Sequence, residues 1–182
     1  LGRIQGGLRD EALRQVSMGR GRPYGIIRLG FRCNQDCSFC WQNREWPTAP
    51  PEQFHRWLDE MAEKGVKFII FSGGEPTLFK GLKELVRRAT HEFGMRVQIQ
   101  TNAIQLRKAR FAQELVDAGL REAFISFHSA DGDISDTMTK APSTHQHTVT
   151  GIGNALDAGL KIFLNAVSQL RMSLITVHRV QR

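Results

Sequence analysis

FRCNQDCSFCW, residues 31–41, carries Cys33, Cys37 and Cys40, and the 182-residue chain has no other cysteine. Three thiols so close together make a poor disulfide framework, because one is always left over, and the pattern favours metal ligation in a reducing compartment. Thiolates select zinc or iron–sulfur clusters. A closed structural zinc site needs four ligands. The fourth is missing here: the nearest histidine is His55, on an apolar-striped segment, and there is no second CxxC pair. A four-iron cube also has four corners, and three cysteines on one loop hold three irons and leave the fourth open. Asn34, Gln35 and Asp36 make the loop polar, which argues against three buried thiols acting as small hydrophobes. The competing metal reading is a non-catalytic fold that binds zinc or a degenerate cluster.

The rest of the chain describes an ordinary globular protein. At 41% hydrophobic and 24% charged, it can build one domain with a sizeable core. No apolar run approaches a membrane span and no secretory segment opens the chain, so the expected location is cytoplasmic, away from membranes. The net charge of +7 is diffuse. Its densest part is the start, where Arg3, Arg9, Arg14, Arg20 and Arg22 mark residues 1–23 as a basic N-terminal extension ahead of a core domain at 24–182. A solvated basic surface explains this charge better than nucleic-acid binding, since no recognition helix or stacking platform accompanies it.

Five strand-length apolar segments recur, at 26–30, 68–72, 97–100, 124–127 and 162–167. Helical stripes fill the gaps: Phe54, Trp57, Leu58, Met61 and Ala62; Leu82, Leu85, Val86, Ala89 and Phe93; Phe111, Leu115 and Ala118; Val149, Ile152 and Leu156. EKGVKF, EFGMRV, DAGLRE and DAGLKI repeat one joint. Each puts a glycine (Gly65, Gly94, Gly119, Gly159) just past a helix and an apolar residue after it, the pattern of a left-handed helix stop. Strands joined by helices predict a parallel sheet covered by helices, doubly wound or barrel-like, with ligands at the carboxyl ends of the strands. Those ends carry the cysteine loop, SGGEPT at 72–77, Thr101-Asn102, His128-Ser129-Ala130-Asp131, and Ser168-Gln169. Gly73 and Gly74 permit close backbone approach, Glu75 at the rim can accept from an amino group, and Pro76 stiffens the turn.

CNQDCSFC is CxxxCxxC, and with GGEP downstream it resembles the radical S-adenosylmethionine superfamily, over most of the chain from about Tyr24 to about Val167. The resemblance implies an α/β fold, a partial (β/α)6 TIM-like barrel of parallel strands. Five strands are legible here, so truncation after the fifth is expected. The resemblance also implies a [4Fe-4S] cluster on Cys33, Cys37 and Cys40. Its open iron binds the amino and carboxylate groups of S-adenosylmethionine. One electron cleaves that cofactor to a 5′-deoxyadenosyl radical, which abstracts hydrogen from a substrate. Residue by residue, Phe39 falls at the position near the adenine, and Gly73, Gly74 and Glu75 at the ledge for the methionine amino group. Ser126 falls where ribose or carboxylate is contacted, and Thr101 and Asn102 near substrate or cofactor. Asn165 recurs in one branch. An electron donor such as flavodoxin or ferredoxin is implied.

The stretch from HSAD through TKAP and TVTGI to LNAV resembles the branch of peptide-modifying maturases and the molybdenum-cofactor cyclase. A peptide or a small molecule is therefore the expected substrate. His128 and Asp131 are candidates for proton transfer, although Asp131, Asp133 and Asp136 equally suit turns and helix starts. His145 and His147 are expected on a surface loop, and Trp41 and Trp46 are expected to shield the cysteine loop.

Overall fold

The computed structural model describes residues 24–167 and a strand at 176–180. The expected extension at 1–23 and Ser168-Gln169 lie outside the described residues. Five parallel strands follow in chain order: β1 (Tyr24–Arg28), β2 (Phe68–Ser72), β3 (Arg96–Thr101), β4 (Glu122–Ser126) and β5 (Lys161–Ala166). Register puts Ile27 beside Phe71, Phe71 beside Ile99, Ile99 beside Ala123, and Ala123 beside Ile162. All five are buried in one core with the helices that follow the strands. Because side chains alternate along a strand, the opposite, inner face carries Ser72, Gln100, Phe124, Ser126, Phe163 and Asn165.

A sixth strand, β6 (Thr176–Val180), pairs antiparallel with β5. The parallel series ends at the fifth strand as expected, and β6 adds an antiparallel edge beyond it. A parallel return needs a crossover of about a dozen residues or more. The chain between Ala166 and Thr176 is shorter than that, so the strand comes back in the reverse direction. The weak apolar alternation of TVHRV hides it in the sequence.

The helices are α1 (Pro51–Glu63), α2 (Leu82–Arg87, widening into a π-turn over Arg88–Glu92), α3 (Ala109–Asp117), α4 (Gly132–Thr139) and α5 (Thr144–Asp157). The first three stripes bury the expected residues, among them Phe54, Leu58, Leu82, Leu85, Ala89 and Leu115. The fourth does so only in part, with Ile152 and Leu156 packed partly buried against the core. Val149 is 38% exposed, and α5 instead buries Thr148, Gly151 and Ala155. The reason is close packing: a Cβ on Gly151 would lie 2.1 Å from the Ala103 carbonyl oxygen. Only a small-residue face lets α5 rest on the turn after β3.

The repeated glycine joint holds at all four positions. Gly65, Gly94, Gly119 and Gly159 have φ of 74, 61, 109 and 89°. After each of them the next residue's N–H reaches back into the helix: Val66 to Met61, Met95 to Ala89 in the π-turn, Leu120 to Leu115, Leu160 to Ala155. Adding a Cβ strains the left-handed backbone at each site, by about 1 kcal/mol or more. At Gly119 it also meets Thr90 Cβ at 2.7 Å, whereas at Gly65 it meets nothing within 4 Å. Gly119→Ala is therefore expected to lower the urea midpoint clearly more than Gly65→Ala. Equal losses would mean that backbone strain alone sets the cost.

Candidate active site

The cysteine loop leaves β1 and is held from three directions, by backbone groups on two and by the Arg44 side chain on the third. Leu29 N–H donates to Ser72 O at 2.8 Å, continuing the ladder to β2. Asp36 N–H donates to Thr139 O at 2.8 Å and Ser38 N–H to Met138 O at 2.9 Å. The last carbonyls of any helix lack partners within it, and α4 ends sharply because Lys140 turns left-handed at φ 48°. Its free carbonyls thus receive the cysteine loop. Arg44 closes the third side, donating to the Gln35 carbonyl and pairing with Asp36 at 3.1 Å. Only the helix-stopping character of TKAP hints at this clamp in the sequence.

Cys33 and Cys37 are half-buried, Cys40 is exposed, and none is in a disulfide. Burial pushes the Cys37 thiol up to about 11, helped by the neighbouring Cys33 and Cys40 charges. Burial also raises Cys33, and the Glu75 charge adds to it. Three thiols that repel one another's ionised forms fit a centre that supplies positive charge. Among the described residues no three His, Cys, Asp or Glu side chains are arranged for a single metal ion. The donor set, all thiol and one ligand short of a closed tetrahedron, fits an iron–sulfur cluster with an open corner.

SGGEPT lies directly against this loop. Gly74 N–H donates to Gly30 O and Glu75 N–H to Arg32 O, both at 2.9 Å. A Cβ on Gly73 would sit 2.4 Å from Gly30 O, and one on Gly74 would sit 2.3 Å from Arg32 O. The glycine pair is needed for this backbone contact. Gln42 Nε2 donates to the Gly73 carbonyl at 2.8 Å, and Leu78 N–H to the Glu75 carbonyl at 3.1 Å.

Glu75 is not a rim side chain. It is 4% exposed, with its carboxylate turned inward. Oε1 accepts from Thr77 N–H (3.0 Å), Thr77 Oγ1 (2.6 Å) and Thr101 Oγ1 (2.7 Å). Oε2 accepts from Asn102 N–H at 2.7 Å. Burial raises its pKa, and these donors oppose the rise. Thr101 and Asn102 therefore meet Glu75 and the cysteine loop together, since Asn102 Nδ2 donates to Asn34 Oδ1 at 2.7 Å.

Ser126 and Asn165 are register partners on the inner face, both half-buried. One pair there went unnoticed in the sequence: Ser72 Oγ donates to Gln100 Oε1 at 2.8 Å, just below the glycine turn. The alternation in RVQIQT was its available signal. Phe39 packs edge-on against His128, with ring centres 4.7 Å apart. Val167 N–H donates to His128 Nδ1 at 3.2 Å, and burial lowers the histidine's pKa. The ring is thus neutral with its proton on Nε2. Asp131 caps α4, accepting from Ile134 N–H at 3.0 Å. His145 and His147 lie in the first turn of α5, not in a loop, and His145 stacks on Phe127 at 5.6 Å. Trp41 is 67% exposed and stands under the Arg28 guanidinium, 4.8 Å from its ring centre, while Trp46 packs edge-on against Phe31 of the loop with ring centres 5.2 Å apart. Among the described residues no helix is long and apolar enough to cross a membrane.

The Radical SAM superfamily model matches residues 27–173. A PqqA peptide cyclase from Rhodopseudomonas palustris is 34% identical over 146 residues, 78% of this chain and 38% of its own. A GTP 3′,8-cyclase from Rhizobium leguminosarum bv. trifolii is 34% identical over 160 residues, 82% of this chain and 44% of its own. The crystal structure of Streptococcus suis SuiB bound to precursor peptide SuiA superposes with a TM-score of 0.67 at 25% identity, covering 84% of this chain and 34% of SuiB. The chain spans less than half the length of these curated relatives. With the family model spanning most of the chain, and both motifs meeting on one rim, this protein belongs to the Radical SAM superfamily.

Proposed function

We propose that this chain is the core of a radical enzyme that binds a [4Fe-4S] cluster and S-adenosylmethionine and abstracts hydrogen from a peptide. The observation that carries the reading is the contact between a loop of three thiols, short of one ligand, and the glycine turn hydrogen-bonded to it. Cys33, Cys37 and Cys40 would hold the cluster. When bound, it supplies one electron, taken from a donor of flavodoxin or ferredoxin type, that splits the sulfonium into methionine and a 5′-deoxyadenosyl radical.

The chain's own task is to bind, orient and exclude water. The Gly73 and Glu75 carbonyls are engaged by Gln42 and Leu78, and the Gly74 carbonyl between them would take the ammonium group. Phe39, braced by His128, would line the adenine. Ser126 and Asn165 would meet ribose or carboxylate. Thr101 and Asn102 would set the far wall through Glu75. His128, neutral with a proton on Nε2, could donate a hydrogen bond to substrate, whereas the cap role of Asp131 leaves it less free for proton transfer.

A peptide is favoured over a nucleotide by the inner face. Ser72 and Gln100 offer uncharged donors and acceptors suited to amide groups, and a peptide cyclase and the SuiA-bound structure are among the relatives. The test supplies reconstituted protein, cofactor and reductant with short peptides encoded beside its gene, or with GTP. Mass spectrometry should find 5′-deoxyadenosine formed in the presence of the peptide, carrying deuterium when the peptide is deuterated. Conversion of GTP with peptides untouched would assign the small-molecule reaction instead.

A further inference from the structure

We infer that Glu75 is a positioning residue: its carboxylate staples the glycine turn, the end of β3 and the cysteine loop into one unit, and does not itself bind the cofactor. For the cofactor this rests on the reading proposed above. Both oxygens are already engaged. Three donors converge on Oε1 and the Asn102 N–H on Oε2, inside a site from which solvent is excluded. With Glu75 only 4% exposed, an ammonium group reaching the carboxylate would have to enter this closed site and compete with these donors, and any donor it displaced would be left buried without a partner, which is costly.

The bonds run outward from the carboxylate to four parts of the chain. Thr77 belongs to the turn after β2. Thr101 ends β3, and its Oγ1 accepts from Ala103 N–H at 3.0 Å. Asn102 reaches Asn34, between Cys33 and Cys37, through its side chain. The Asn102 carbonyl accepts from Thr148 Oγ1 of α5 at 2.9 Å. A carboxylate suits this place because every group facing it is a donor. A carboxamide would turn an NH2 group toward at least one of those donors. The left-handed Ala103, at φ 61°, allows the β3 end to fold back over the carboxylate.

A staple and a ligand predict different patterns. If Glu75 positions, Glu75→Gln and Thr101→Val both loosen the same unit. Each should weaken S-adenosylmethionine binding, by about tenfold for Glu75→Gln and less for Thr101→Val. The double variant should be no worse than Glu75→Gln alone, because coupled residues are not additive. Thr101→Ser, which keeps the hydroxyl, should restore wild-type affinity. Wild-type affinity in Thr101→Val beside a large loss in Glu75→Gln would overturn the inference, as would additive losses. If Glu75→Gln does not fold, the Thr101→Val and Thr101→Ser pair still decides.

A second readout needs no cofactor. Amide hydrogen exchange at Asn102 and Thr77 should rise in Glu75→Gln; unchanged protection at both would refute the staple. Should the wild-type protein bind no S-adenosylmethionine, the proposed function falls, while the exchange result still judges the staple.

Discussion

Cys40→Ala is expected to abolish the intact cluster. Iron and sulfide in the anaerobically reconstituted protein should fall from about four each per chain to a small remainder. Cys33 and Cys37 alone then offer two thiol ligands, and the chain has no fourth cysteine to replace the third. The fold should be indifferent to the change. Cys40 is exposed, and its backbone N–H bond to Cys37 O, 3.0 Å long, survives in alanine. The apo variant should match wild-type stability within about 0.5 kcal/mol. Full iron retention would remove Cys40 from the ligand set.

Gly74→Ala should be the most damaging change on the rim that touches no charged or thiol group. The new Cβ would lie 2.3 Å from Arg32 O, 2.5 Å from Phe31 O and 2.6 Å from the Phe31 carbonyl carbon. These are backbone atoms at the start of the cysteine loop, so no rotamer change relieves the clash. The loop and the turn must separate, breaking the Gly74–Gly30 and Glu75–Arg32 bonds. A loss of about 2–3 kcal/mol in unfolding free energy is expected, together with poor cluster loading. Gly153→Ala is the control: it lies in α5 with nothing within 4 Å of its Cβ. It should be neutral or stabilising by about 0.5–1 kcal/mol. Equal behaviour of the two variants would contradict the close approach of turn and loop.

Much of the fold is legible because it follows from periodicity. Phe68–Ser72 reads as a buried strand from FIIF alone, and Gly119 reads as a helix stop because an apolar residue follows it. Features that depend on tertiary partners are not legible. The α5 stripe holds at Ile152 and Leu156 but not at Val149, because the turn at Ala103 comes so close that small residues, Thr148, Gly151 and Ala155, lie beneath it, and a hydrophobic pattern cannot register a backbone on the other side. The antiparallel β6 is hidden because its direction depends on the length of its connection. At the candidate site, the thiols and glycines are visible as motifs. The inward turn of Glu75 is not, because it depends on donors from Thr77, Thr101 and Asn102 converging in space. The clamp on the cysteine loop consists of the Met138 and Thr139 carbonyls, and main-chain groups leave no residue signature.

The central claim is a three-thiol cluster with one open iron beside a cofactor ledge. Electron paramagnetic resonance tests it most directly, on the anaerobically reconstituted and reduced protein with and without S-adenosylmethionine. A four-iron signal that shifts when the cofactor is added is the predicted result. A signal that ignores the cofactor, or a protein that holds zinc and no iron, would contradict the claim.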